Sequence, residues 1–420
     1  MENQQRFFRR NELAILWQGV LFMAGLAFID PNTVIPVFVA TMSGSLAMAG
    51  LVSASRVIPS TLAQFFVGIR AGSIKDVPRY LIVAMLAAYS IPMLIAVMLF
   101  LPTPETILLP LFFVLSAILW LGDGSTAIPW FDFLGRAVNE RRRGLLLGRM
   151  QILGGLAALG CSAVVKLVLG TEGLSVRTRY AVLFVCAAVF MLISVLSMAR
   201  AKDAPHRKAL TENPFKHIGT YPKLFISNKG FLKCIAVQAC QGIAAMSIPF
   251  IILFSVQTFH LSNAQVGWMI PIQISGGLLG GFVWGQISHK FGNRRVIQAN
   301  QCVLLLVMAV GLFTALSHML LPIYPLALLA GASSSCWMGY PNYIMDIIAV
   351  EKRPQYLVMS SLANLPFTFL PYMAGLLAAS VGFAPVFAIC LLAAASGVAL
   401  SFQLQSPQTL SVESFPGSAL

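Results

Sequence analysis

Three ionisable residues, Asp30, Arg56 and Asp123, lie inside long apolar stretches of this chain. Each costs at least ~2.5–3.5 kcal/mol at the centre of a bilayer, so each needs a partner, water or a function. A carboxyl group deprived of water can exchange a proton near neutral pH, which suits it to coupling with a proton gradient. A guanidinium in the same place attracts an anionic group or releases a neighbouring acid. Arg56 belongs to a polar stripe with Ser53, Ser60 and Gln64 at steps of three and four, one wet face of a helix. Asp123 stands between Gly122 and Gly124, ahead of Ser125 and Thr126. The glycines are expected to loosen the helix and expose backbone carbonyls. The competing structural reading is an Asp30–Arg56 ion pair, with Asp123 hydrogen-bonded to neighbouring hydroxyls. Lys166 is about four residues from the outer end of its stretch, where snorkelling explains it. Asp132 and Asp346 fall at inner helix ends, as gate or topology residues.

The elements that hold these groups are membrane spans. Hydrophobic residues are 58% of the 420-residue chain, charged residues 10%, and mean hydropathy is +0.82. A soluble domain carries roughly 25% charged residues. Twelve stretches are long enough to cross a bilayer: 13–38, 46–69, 79–101, 108–132, 145–169, 180–199, 231–257, 264–287, 296–317, 321–346, 357–380 and 383–403. None alternates with the period of two that a barrel requires, so the spans are helices. On this layout Asp30 is ~12 Å and Arg56 ~15 Å below the outer surface, at 1.5 Å per residue. Asp123 is also near mid-depth.

The net charge of +14 is one-sided. With the N-terminus inside, nearly all Lys and Arg fall in inner segments, and among the outer loops only Arg177 and Arg179 depart from this. This positive-inside bias places both termini in the cytoplasm and the protein in the plasma (inner) membrane. The basic loops have no aromatic stacking platform, which argues against nucleic acid as a partner. The seven cysteines lie within spans, with no metal-ligand spacing, and read as packing residues.

Five landmarks recur about 212 residues apart: Pro36 at Pro249, Pro59 at Pro271, Gly72 at Gly285, Pro129 at Pro341, and Glu140 at Glu351. The near-constant offset indicates two copies of one unit. The expected organisation is a six-helix bundle over 1–199, a basic Pro-containing cytoplasmic linker over 200–230, a second six-helix bundle over 231–403, and a disordered cytoplasmic tail over 404–420. The Gly277, Gly281 and Gly285 ladder, beside Gly276 and Gly280, suits close helix contact, read either as a sliding surface between the halves or as static packing.

After the eighth span the chain reads Gly285-Gln-Ile-Ser-His289-Lys290-Phe-Gly292-Asn-Arg294-Arg295. This closely resembles the signature loop of the major facilitator superfamily, G-x-x-x-D-R/K-x-G-x-R/K-R/K. A worn copy, Gly72-Ser-Ile-Lys-Asp76-Val-Pro-Arg79, sits in the first half. Pro129-Trp-Phe-Asp132 with Glu140-Arg-Arg-Arg-Gly144 looks like the fourth-to-fifth-span loop of uncharacterised bacterial members, and Glu351-Lys-Arg353-Pro354-Gln-Tyr356 looks like its counterpart in the second half. The resemblance implies an all-α membrane protein of twelve helices in two pseudo-symmetric six-helix bundles. It also implies a cytoplasmic gate built from Gly72, Asp76 and Arg79, with Gly285, His289, Lys290, Gly292, Arg294 and Arg295. An acid at the fifth motif position meets the positive end of a facing helix. His289 replaces that acid in the second copy, which would make that latch weaker or pH-sensitive. The glycine–proline-rich fifth-span motif of proton-coupled drug exporters is missing.

In that family, spans one, four, seven and ten line the central cavity. The resemblance therefore puts Asp30, Asp123, Gln238, Gln241, Trp337, Tyr340 and Asn342 on cavity helices, with Arg56 beside them. The expected function is secondary active transport of a small solute by alternating access, coupled to protons or Na⁺. The expected protein is a monomer in a lipid bilayer, without cofactor or metal and without a phosphate loop for ATP. Efflux of amphipathic compounds is the alternative within transport. A membrane enzyme or lipid-handling protein on the same fold is the alternative from another class, although none of the five histidines is grouped.

Overall fold

The computed structural model of the chain describes residues 2–70, 74–138, 140–202, 228–261, 263–348 and 353–405. Most of the expected linker, and the tail beyond residue 405, lie outside the described residues. All regular structure among the described residues is helical.

In the first half, α1 (Glu2–Phe28) and α2 (Val34–Ser43) make span one, and α3 (Leu46–Arg70) makes span two. Helices α4 (Val77–Tyr89) and α5 (Ile91–Phe100) make span three. Spans four to six are α6 (Glu105–Ala137), α7 (Glu140–Leu169) and α8 (Val176–Met198). In the second half, α9 (Lys229–Ala245) and α10 (Ile251–Phe259) make span seven, followed by α11 (Asn263–Phe291) and α12 (Asn293–Ser317). Span ten is α13 (Ile323–Ser334) with α14 (Gly339–Ile347), and span eleven is α15 (Arg353–Asn364) with α16 (Leu370–Val381). The last is α17 (Phe383–Ser401). Among the described residues, ten helical runs are long and apolar enough to cross a membrane. Span eight (α11) and the interrupted span ten complete the twelve.

Five spans are interrupted among the described residues, and proline accounts for each. A residue before proline is driven out of the helical region, so α1 ends ahead of Asp30-Pro31. Pro92 opens α5 after the Ser90 corner. Pro249 lies in a 3₁₀ turn, Ile248–Phe250, and Pro366 in another, Leu365–Phe369. Pro341 cannot donate to the carbonyl four residues back. The preceding turn accordingly loosens into a 3₁₀ segment, Ser335–Met338, with Cys336 non-helical at φ −81°, ψ 19°. Pro59 and Pro271 are absorbed within continuous helices.

Contacts group the chain into two units: Met1–Glu212 with His260–Ile274, and Asn213–Phe259 with Ser275–Leu420. In the first, α1 packs on α7 and α8. Gly19 lies against the Met150 side chain and Gly154 against Met23, while Gly25 faces Met191. An aromatic cluster, Phe38, Phe112, Tyr180 and Phe184, fills the centre, with ring centroids as close as 4.8 Å. In the second, Phe254 stacks edge-on to Phe387 at 5.2 Å, and Phe231 to Tyr356 at 4.8 Å. Outward faces remain apolar: Leu167 is 69% and Leu392 70% exposed, as helices in lipid require.

Glycine sets the tightest helix contacts. On α6, Gly124 lies against the backbone of Ser60 on α3, and Gly122 against Ala88 on α4. These glycines do not loosen α6, which runs unbroken through 122–126. Their missing side chains let α3 and α4 approach. On α11 the expected ladder is displaced by one residue. Gly276 and Gly280 meet the backbone of Leu328 and Ala332 on α13, within the second unit. Among the described residues nothing lies within 4 Å of a Cβ placed on Gly281 or Gly285, and Gly277 is only in ordinary contact. A leucine at Gly124 would drive its side chain into Ser60 backbone, which cannot step aside. Gly124→Leu is therefore expected to cost about 2 kcal/mol or more of stability. Gly148→Ala, with nothing within 4 Å, should leave stability unchanged within about 0.5 kcal/mol. Thermal unfolding of the two purified variants beside the parent checks both.

Candidate functional site

In the first unit, Asp30 sits in the break of span one. Its Oδ1 accepts from the Asn32 backbone N–H and the Thr33 hydroxyl, both at 2.9 Å. Its backbone carbonyl accepts from the N–H groups of Thr33, Val34 and Ile35. One residue thus satisfies the donors that the break frees, as an Asx turn does. Asp123 accepts the Tyr89 hydroxyl at Oδ1, 3.0 Å away. Tyr89 is buried at the end of α4 and stacks on Phe22 of α1, with ring centroids 5.3 Å apart. Thr126 bonds back to the Asp123 carbonyl, and Ser125 to that of Gly122. The Tyr80 hydroxyl donates to the Ser125 carbonyl at 3.3 Å.

Arg56 faces α6. Its guanidinium lies 4.9 Å from the ring centroid of Trp120 and interacts electrostatically with both Asp30 and Asp123. The Asp30–Arg56 ion pair of the competing structural reading is not closed: among the described residues, no carboxylate oxygen is within 4.0 Å of Arg56. Both acids are held by nearer donors on their own sides. Asp30, Arg56 and Asp123 are each half-buried. Sequence reading missed Tyr89 and Trp120. An aromatic in an apolar run carries no signal until the packing shows what its polar edge or face meets.

In the second unit the polar residues bond to one another. Gln241 Oε1 accepts the Tyr340 hydroxyl at 2.7 Å and the amides of Gln301 and Asn300 at 3.3 and 3.4 Å. Gln301 also donates to the Tyr340 oxygen at 2.8 Å. Gln238 accepts the Ser360 hydroxyl at 2.9 Å. Asn300 and Gln301, on α12, were not anticipated, since span nine is not a cavity helix in the resemblance. Asn342 is half-buried and makes no hydrogen bond among the described residues. Trp337 falls in the 3₁₀ turn of span ten, and its side chain lies outside the described residues.

Of the gate residues, Gly72 lies outside the described residues. Asp76 caps α4, accepting the Arg79 backbone N–H at 3.0 Å. Gly285 was expected to permit tight helix contact, but no described neighbour approaches it. Gly292 has φ +80° at the turn from α11 to α12, a conformation that requires glycine. Arg294 donates to the Phe402 carbonyl at 2.9 Å and Arg295 to Gln298 at 3.1 Å. Asn293 joins the loop to span ten through Asp346, at 2.8 Å. His289 and Lys290 are exposed in the last turn of α11. Lys166, expected to snorkel, instead lies over the Trp268 ring, 3.2 Å from its centroid.

The geometry combines a helical membrane bundle, a charged cluster in one unit and a neutral amide–phenol cluster in the other. The sequence model of the Major Facilitator Superfamily matches residues 235–417. No curated protein matches the chain. Among solved structures, a D-xylose-proton symporter is similar at 15% identity and a TM-score of 0.73, over 95% of this chain and 98% of that one. The xylose transporter XylE from E. coli in an inward open conformation is similar at 14% and 0.67, over 97% and 100%. A mutant of the nucleoside transporter NupG is similar at 12% and 0.64, over 95% and 98%. At these identities the likeness is one of fold. The second half of the chain thus matches the sequence model of the Major Facilitator Superfamily, and the chain, an integral membrane protein, shares the fold of these solved transporters.

Proposed function

We propose that the chain is a secondary active transporter that moves a small solute by alternating access and draws on the proton gradient. The observation that carries this reading is the charge cluster of the first unit. A cation and two carboxylates are held on spans one, two and four with no closed ion pair among the described residues, which a purely structural cluster has no reason to leave open. Asp30 is committed to the helix break by two hydrogen bonds. Asp123 has one hydrogen bond, to Tyr89, and is the carboxylate free to gain and lose a proton. When Asp123 is charged it attracts Arg56. When it is protonated, Arg56 is released toward solute. The similarity to a D-xylose-proton symporter supports proton rather than Na⁺ coupling.

Gln238, Gln241, Trp337, Tyr340 and Asn342 are the proposed solute contacts of the second unit, with Asn342 offering an unused amide. Gly72, Asp76, Arg79, Gly285, His289, Lys290, Gly292, Arg294 and Arg295 are the proposed cytoplasmic gate. The basic inner loops support both termini in the cytoplasm and residence in the plasma (inner) membrane. The protein is proposed to work as a monomer. The transporter fold favours this reading over an enzyme, and product formation without flux would reverse that choice.

In proteoliposomes, accumulation of a solute found by thermal-shift screening should collapse with a protonophore. Asp123→Asn should lose pH-driven accumulation by at least about tenfold while keeping solute exchange across the membrane. Equal accumulation by parent and variant would remove Asp123 from coupling. At the gate, His289→Asp restores the acid of the motif. It is expected to shift the inward/outward balance by about threefold, read by cysteine accessibility from each side. An unchanged balance would dismiss the latch.

A further inference from the structure

The Arg56 guanidinium has five N–H donors. Among the described residues it donates none of them to the protein, and no carboxylate lies within 4.0 Å. Among the described residues its close partner is the Trp120 ring, whose centroid lies 4.9 Å from the guanidinium carbon, a contact that commits none of those donors to a hydrogen bond. Ser53, one turn before Arg56 on the polar stripe of α3, is half-buried with no hydrogen-bond partner among the described residues. Ser60, one turn after, accepts from Gln64 at 3.1 Å and keeps its own hydroxyl proton to give. The face therefore presents a planar cation flanked by hydroxyl donors, with both nearby acids occupied elsewhere. Planar, bidentate donors match an oxyanion and no neutral group as well.

We infer that Arg56, with Ser53 and Trp120, is the anchor for the oxyanion group of the solute, a carboxylate or phosphate, and that this anion enters together with a proton on Asp123. This rests on the transporter reading and adds the chemical class of the solute. The reason for the proton is charge. Arg56 with two ionised carboxylates is already net negative, and an anion would add to that where dielectric screening is weak. Protonation of one acid offsets it. Asp30 accepts two hydrogen bonds at Oδ1, which favour its ionised form, whereas Asp123 accepts one, so Asp123 is the acid assigned the proton. The other titratable groups facing Asp123 are Arg56 on α3 and Tyr89 on α4, with Tyr80 further along α4. Because binding linkage is reciprocal, anion affinity must fall as pH rises.

The test uses purified full-length protein in phosphatidylcholine nanodiscs. Three probe pairs set an anion beside a neutral analogue: benzoate and benzamide, lactate and lactamide, glycerol 3-phosphate and glycerol. At pH 6, at least one anion should raise the melting temperature by about 2 °C or more beyond its neutral partner. Its affinity should be at least about threefold weaker at pH 8. Arg56→Gln should abolish the difference, and Arg56→Lys should retain part of it. Should Arg56→Gln fail to fold, iodide quenching of Trp120 fluorescence decides instead. Iodide, an anion, should quench the Trp120 share (the part lost in Trp120→Phe) more strongly at pH 6 than at pH 8, while neutral acrylamide shows no such change. No anion exceeding its neutral partner, an equal shift in Arg56→Gln, or pH-independent iodide quenching would each overturn the proposal. A shift that appears only with phosphatidylglycerol present would assign the site to lipid and overturn it too. Anion binding without proton-driven flux would leave this site standing and remove the coupling, whereas proton-driven flux of a neutral solute alone would do the reverse.

Discussion

The contact between Gly124 and the Ser60 backbone fixes the geometry of the charged cluster. Trp120 and Gly124 are one turn apart on α6, and Arg56 and Ser60 are one turn apart on α3. A single register between these helices therefore seats the guanidinium on the indole and brings Asp123 near it. Gly122, on Ala88, does the same work toward α4 and delivers Tyr89 to the Asp123 carboxylate. A charge at mid-membrane survives only if nearby groups replace the water it has lost. Here those groups come from three helices, and glycine brings the helices close enough.

The second unit answers the same constraint without charge. Gln241, Gln301, Asn300 and Tyr340 exchange hydrogen bonds across α9, α12 and α14, each supplying what another lacks. The Oδ1 of Asn300 and the Oε1 of Gln301 remain buried with no hydrogen-bond partner among the described residues. Gly397 of α17 lies against that Gln301 oxygen, so a larger residue there would disturb the whole cluster. The two units thus differ in chemistry although they share a plan: one ionic and left open, the other neutral and largely knitted together.

The span count and nearly every span boundary were legible in the sequence, because hydropathy over about 20 residues is set by the bilayer and hardly by packing. The presence of Asp30, Arg56 and Asp123 within apolar spans was legible for the same reason. Their partners were not. Asp30 resembles an ion-pair acid by depth, but Pro31 beside it creates a helix break whose freed N–H groups are nearer than Arg56. The glycines beside Asp123 resemble a flexible point, yet flexibility and close packing call for the same residue, and only the neighbouring helix distinguishes them. Tyr89, Trp120, Asn300 and Gln301 gave no signal, since their roles depend on inter-helix register.

The halves also differ in which helix supplies the glycine. Span four carries it in the first half, where Gly124 rests on span two. In the second, span eight carries it, and Gly276 and Gly280 rest on span ten. The halves keep the landmark spacing but reverse the donor, so they are not interchangeable parts. Transplanting span ten into the place of span four would press two full backbones together, and the opposite exchange would leave a hollow between two bare ones.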